Sequence, residues 1–411
     1  SADNLLNGGL GNDTYRFYNA TGTDSVVDAG GNDTIDFSLA ATAVTFDLAL
    51  SKISNALSQV TYTGSVIENL YGSSGNDIFN LSASHSHYLR GGLGGDNFVF
   101  SGTASLTGSI DGQTGSDRLD FSGYASARTF TISGVGATDG FNVTITNIQA
   151  PVSNIDLLTG SAYVDTLNGA NLVSQWNLGA SKVYTASGRT LTFLAVENLN
   201  GGTLVDTFNT TANHSGNLSG GVGADIFTFS GAAVLTGDVN GGADNDTFNF
   251  AGSAQVVGAL DGGAGNDTLS FAGYSSGRNI ALTSLGATDG FAGIVSSTQF
   301  ANINILIGSV FIDTLIGLDV PGTWHLALGT PHTYTSGSIL TFSGIENLIG
   351  GSAADTFTFA NGAAIVGTIN GGAGTDLLDY SAFTTSVTVN LSTGTATGTA
   401  GVSNIENITG G

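Results

Sequence analysis

The sequence predicts an all-β fold: a right-handed parallel β-solenoid, of the β-roll or β-helix kind, with about 21 residues per coil and no substantial helix. Three observations carry this expectation. Glycine and aspartate recur in loops of one form, each loop is followed by alternating apolar and polar residues, and the whole unit repeats at a fixed step.

The loops read GGLGNDTYRF from Gly8, GGVGADIFTF from Gly220, GGADNDTFNF from Gly241, GGAGNDTLSF from Gly262 and GGAGTDLLDY from Gly371. Asp225, Asp246 and Asp267 stand 21 residues apart, as do Phe229, Phe250 and Phe271, and Asp96 to Asp117 and Asp355 to Asp376 repeat the step. A short fixed period marks stacked repeats in which each coil contacts its neighbours. At that step the 411 residues would fill roughly twenty coils.

Behind the loops, stretches such as Asp225-Ile-Phe-Thr-Phe229 and Asp355-Thr-Phe-Thr-Phe359 alternate with period two, as a strand with one buried face does. The Phe pairs should point inward. No stretch shows a convincing 3.6-residue period. Strands recurring once per coil pair in parallel with their copies, and the crossovers between parallel strands are right-handed.

A longer repeat overlies the short one. Glu68 to Phe121 maps onto Glu197 to Phe250 at offset 129, and Asp117 to Phe141 maps onto Asp267 to Phe291 at offset 150, the difference being one coil. Trp176 and Trp324 correspond inside less regular stretches. The expectation is one continuous solenoid over residues 1–411. Regular loop-bearing coils lie near 8–37, 72–124, 201–274 and 350–380, and less regular coils with side loops near 38–71, 125–200, 275–349 and 381–411.

Composition narrows the partners. Eight Lys or Arg stand against 32 Asp or Glu, for a net charge of −24. Only Glu68, Glu197, Glu346 and Glu406 are glutamate, which leaves 28 aspartates. Nucleic acid and anionic membrane both need basic residues, so neither is expected; cations are the natural counterpart. A hydrophobic share of 41% supplies a core. The absence of Cys fits a secreted bacterial protein held by metal instead of disulfides, although a cysteine-free cytosolic protein would have the same composition. No signal peptide or 18-residue apolar run occurs and the chain starts at Ser1, so it reads as a processed product or an excerpt.

The pattern G-G-x-G-x-D-x-U-x, with U large and apolar, is intact at Gly8 to Arg16, Gly91 to Val99, Gly220 to Thr228, Gly262 to Ser270 and Gly371 to Asp379. It resembles the nonapeptide of the RTX (haemolysin-type calcium-binding repeat) family. Asp379 to Ile408, with SVTVNLSTGTATG inside it, likewise resembles the spacer of large secreted RTX proteins. The resemblance implies several Ca2+ ions between the loops of neighbouring coils, held by the sixth-position aspartates and by main-chain carbonyls of the glycine turns. Elementary chemistry agrees. Ca2+ takes six to eight hard oxygens, and glycine lets backbone carbonyls approach where a Cβ would clash.

The candidate metal ligands are Asp13, Asp33, Asp77, Asp96, Asp117, Asp206, Asp225, Asp246, Asp267, Asp355 and Asp376, with the stack at Asp225, Asp246 and Asp267 foremost. Ala29 to Asp33 is short by one glycine and Gly112 to Asp117 lacks the second. Gly160 to Asp165 and Gly308 to Asp313 keep only the first glycine and the aspartate, and are expected to bind nothing. In such loops Asp caps the turn through backbone N–H groups, with no metal. Glu68, Glu197 and Glu346 each precede an Asp by nine residues in an [IV]-E-N-L box, where a turn-capping or Asn-ladder role is preferred over metal ligation.

No enzyme is expected. Ser275 sits in a G-x-S-x-G pattern, but Ala125 stands at the matching position of the longer repeat. His85 and His214 correspond at offset 129 without a partner at metal-ligand spacing, and read as exposed loop residues. The eight basic residues are scattered, none beyond Arg278, and form no catalytic groove with the acids.

The expected role is that of an extracellular or cell-surface calcium-binding structural protein, secreted by a bacterium. Writing Gly410-Gly411 ahead of Ser1 yields GGSADNLLN, in frame with the nonapeptide from Gly8, so the chain reads as a tile joining copies of itself head to tail in a filament, sheath, surface layer or giant surface protein. The alternatives are a stalk or glycan-binding segment of an RTX adhesin, with extracellular polysaccharide as partner, or the non-catalytic calcium-binding part of a secreted enzyme.

Overall fold

The computed structural model describes residues 3–18, 22–63 and 66–411. All regular structure among them is β, with no helix. The chain divides into two compact units, Ser1–Trp176 with Ser181–Gly201, and Asn177–Ala180 with Gly202–Gly411.

In the second unit the strands entering the loops, Leu218–Val222, Val239–Ala243 and Ala259–Ala264, form one parallel ladder. The strands leaving them, Ile226–Phe229, Thr247–Gly252 and Thr268–Tyr274, form another. Ile226 stands opposite Thr247, and Thr247 opposite Thr268, which is the 21-residue step of the sequence. Alternation turns Leu218, Val239 and Leu260 inward from one ladder and Phe227, Phe248 and Leu269 inward from the other. Identical residues one coil apart then stack. Phe208, Phe227 and Phe248 follow at 4.9 and 5.1 Å, and Phe229, Phe250 and Phe271 at 5.0 and 5.3 Å.

The first unit is built alike. Ile78–Leu81, Asn97–Gly102 and Arg118–Tyr124 pair in parallel, with Phe79 on Phe98 at 4.8 Å and Phe100 on Phe121 at 4.7 Å.

The less regular stretches differ from simple side loops. They are antiparallel hairpins and meanders set into the coils. In the first unit Thr129–Val135, Phe141–Ile145 and Ile148–Ile155 form a meander, and Lys182–Ala186 turns back on Arg189–Leu194. In the second, Asn279–Leu285, Phe291–Val295 and Thr298–Ile303 repeat the meander, and Thr323–Leu326, His332–Thr335 and Ile339–Ser343 follow. The spacer-like segment carries a short hairpin of Val389–Asn390 with Thr395–Ala396.

The inserts lengthen their coils. Arg118 pairs with Leu157 and Leu377 with Asn407, steps of 39 and 30 residues. The estimate of roughly twenty coils is therefore too high. Trp176 and Trp324 are fully buried and plug the hairpins, against Tyr184 at 4.6 Å and Tyr334 at 4.4 Å. His214, expected to be exposed, is 3% exposed and lies in a strand paired with Val234–Thr236; His85 is half-buried. Both sit on the short extra strands where coils stack, which loop composition does not reveal.

Candidate metal centre

Each loop turns on glycines whose missing Cβ makes room for oxygen. A methyl group on Gly241 would lie 2.3 Å from Asp246 Oδ2 and 2.5 Å from the carbonyl oxygen of Gly262, one coil on. On Gly220 it would meet Asp225 Oδ2 at 2.1 Å and the Gly241 carbonyl at 2.6 Å, and on Gly91 Asp96 Oδ2 at 2.1 Å and the Gly112 carbonyl at 2.7 Å. The space in front of the first glycine is thus walled by a carboxylate and a neighbouring coil's carbonyl. That is an oxygen-lined gap of the kind a hard cation takes.

The aspartates form ladders. The N–H of Asp225 donates to Asp246 Oδ1, that of Asp246 to Asp267 Oδ1, and that of Asp206 to Asp225 Oδ1, at 2.7 to 2.8 Å. Asp77 to Asp96, Asp96 to Asp117, Asp13 to Asp33 and Asp355 to Asp376 repeat the contact. One oxygen of each carboxylate is used this way. The other, Oδ2, is buried without a hydrogen-bond partner in Asp13, Asp33, Asp96, Asp117, Asp225, Asp246, Asp267, Asp355 and Asp376. A buried anionic oxygen left unpaired is costly, so a periodic row of them fits a cation that the loops are shaped to receive.

Burial, with neighbouring carboxylates adding to it, pushes these acids up. Asp96 rises to about 8, Asp117, Asp225 and Asp246 to about 7, and Asp267 and Asp355 to about 6. Around Asp246 the repelling charges are Asp225, Asp267 and Asp244.

Two candidates stand apart. Asp77 accepts from Val44 N–H at 2.6 Å and from both the N–H and hydroxyl of Ser73, so its oxygens are already engaged. Asp206 Oδ2 accepts from Gly202 N–H at 2.7 Å. Asp165 and Asp313, expected to bind nothing, are engaged like Asp77: Ser161 and Ser309 each donate N–H and hydroxyl to Oδ2, and Arg128 and Arg278 donate their N–H to Oδ1. Serine after the first glycine is the sequence signal that separates these loops. Where a loop lacks a glycine, Gln113 (φ 74°) and Asp244 (φ 78°) take the left-handed conformation instead.

The glutamates end the ladders. Glu68, Glu197, Glu346 and Glu406 accept through Oε2 from the N–H of Asp33, Asp165, Asp313 and Asp376, each at 2.8 Å. Asp156 and Asn304 take the same place beyond Asp117 and Asp267. The capping role expected for the E-N-L box is what the geometry displays.

Sequence reading missed three further acids. Asp28 converges with Asp13 and Asp33, and Asp139 and Asp156 converge with Asp117; in each trio one oxygen per carboxylate lies within 4.8 Å of the others. Asp28 also accepts from the Tyr15 hydroxyl. Ser275 follows a strand, opens no helix, and gives its hydroxyl to the Gly252 carbonyl at 2.6 Å.

Residues 6–132 match the family model described as Peptidase M10 serralysin C terminal, which is the RTX calcium-binding repeat domain. No curated protein matches the chain. RTX repeats bind several Ca2+ ions, and the row of partnerless Oδ2 atoms, set beside main-chain carbonyls of glycine at Asp96, Asp225, Asp246 and Asp355 and of asparagine at Asp117, Asp267 and Asp376, suits them. Over residues 6–132 the chain is thus similar to the RTX (haemolysin-type calcium-binding repeat) family.

Proposed function

We propose that this chain is an extracellular structural protein whose stacked loops are folded and stiffened by Ca2+, and that it performs no catalysis of its own. The observation that carries the reading is the row of nine buried, partnerless Asp Oδ2 atoms. Metal that binds only the folded stack adds its binding free energy to folding. Extracellular calcium would thus switch the chain from a strained to a stable state.

The ligands are those nine aspartates together with the loop carbonyls, while Asp77 and Asp206 serve the turns. The finer role is a tile that meets copies of itself end to end. Its support is the repeat itself, since each coil adds to the next by parallel strand pairing at a fixed register. Calcium titration by calorimetry, with circular dichroism in parallel, tests the metal reading: saturable uptake of several ions with a gain in β signal is expected, and no uptake would overturn it. Electron microscopy with calcium present tests the tile: end-to-end polymers are expected, and monomers alone would remove it.

A further inference from the structure

The segment Gly-Ala-Thr-Asp-Gly-Phe occurs verbatim at Gly136–Phe141 and Gly286–Phe291. Both copies form the first turn of an inserted meander, between Thr129–Val135 and Phe141–Ile145 and between Asn279–Leu285 and Phe291–Val295. Nothing in the loop repeat calls for them.

Each turn reaches back to the regular loop that precedes its meander. Asp139 Oδ2 accepts from Gly115 N–H at 3.0 Å, and Asp289 Oδ2 from Gly265 N–H at 3.2 Å. That contact aligns the carboxylate with the loop aspartate. Asp139 Oδ1 and Asp289 Oδ1 are buried and have no partner, and neither have Asp117 Oδ2 and Asp267 Oδ2, on residues that are 0% exposed. Asp156, which accepts from Asp117 N–H at 3.2 Å, brings a third carboxylate to the first site within 4.8 Å of the other two.

We propose that each meander turn closes a cation site of its own, Asp117 with Asp139 and Asp156, and Asp267 with Asp289 and Asn304, at which Ca2+ clasps the insert to the end of the loop stack. The inference rests on the calcium reading above but concerns ligands outside the nonapeptide. Two compensating differences between the copies support it. Asn304 replaces the charge of Asp156, and Arg189, whose Nη2 donates to the Thr138 carbonyl at 2.9 Å beside the first site, has no basic counterpart in the second hairpin turn, Ser336–Ser338. One negative and one positive charge vanish together, so the net charge offered to the ion is the same in both. Asp111 and Asp261 lie one step outward in both copies, each accepting from the side-chain amide of Asn154 or Asn302.

The test uses the full chain and Ca2+ itself. Asp139→Asn and Asp289→Asn keep an acceptor for the glycine N–H and remove the charge, so each should lower the calorimetric stoichiometry by one ion and the double variant by two. Amide exchange of the unmodified chain supplies a readout independent of variant folding: calcium should slow exchange at Gly136–Phe141 and Gly286–Phe291 as it slows the loops. Unchanged stoichiometry in the double variant, or turns that exchange alike with and without calcium while the loops become protected, would overturn the clasp alone. No calcium uptake by the unmodified chain would overturn the clasp and the calcium reading together.

Discussion

The N–H of Asp225 donates to Oδ1 of Asp246, one coil on, at 2.8 Å, while Oδ2 of the same Asp246 is buried without a partner. One carboxylate therefore does two things. It closes the neighbouring turn, and it offers a charge that only a cation or a proton can neutralise.

The pH dependence of the calcium-free chain follows. Asp96, Asp117, Asp225, Asp246, Asp267 and Asp355 have folded values near 6 to 8, above the ordinary 3.8. Acids raised on folding bind protons more tightly when folded, so their stabilisation is full below 3.8 and is lost as pH rises through the folded values. Thermal melts of metal-free protein should fall from pH 4 to pH 8, and calcium should restore the loss at pH 8 while acting weakly at pH 5. A metal-free melting temperature that rises over that range would contradict the assignment.

Asp246 and Asp165 should respond in opposite ways. Asp246→Asn keeps an acceptor for Asp225 N–H and removes a buried charge; metal-free stability at pH 8 should hold or improve while at least one bound ion is lost. Asp165→Ala strips the acceptor from Arg128 N–H and Ser161 N–H, each orphaned donor costing about 1–3 kcal/mol. That loss should be equal with and without calcium. Paired denaturant titrations and calorimetry of the two variants check both.

Gly241→Ala would place a methyl in the oxygen-lined gap, 2.3 Å from Asp246 Oδ2. Gly241 does not need a positive φ, so the change acts on the gap more than on the turn. Calcium stoichiometry should drop by one, with the metal-free far-ultraviolet spectrum retained.

Phe227 stacks between Phe208 and Phe248 and is fully buried. Phe227→Ala should cost about 3–5 kcal/mol through lost transfer free energy and the cavity left behind. Denaturant unfolding in saturating calcium measures it; a loss below about 1 kcal/mol would mean that the stack is not the core of that unit.

The sequence by itself determined the parallel coils, the 21-residue step, the inward Phe rows and the loop aspartates, because these are local or strictly periodic. Phe227 meets Phe248 for the same reason that Asp225 meets Asp246: identical residues at one fixed interval must stack. A capping role for Glu68, Glu197 and Glu346 was legible, but its partner was not: each accepts from an aspartate N–H 32 to 35 residues earlier, not from the Asp nine residues on. Only the tertiary structure decided where an interval is not constant. Asp139 reaches the loop of Asp117 across a meander, and Asp156 arrives 39 residues beyond Asp117. The burial of His214 depends on a neighbouring strand, and the engagement of Asp77 on the N–H of Val44, 33 residues earlier. Such contacts depend on how an insert of arbitrary length folds back. No period in the sequence encodes that.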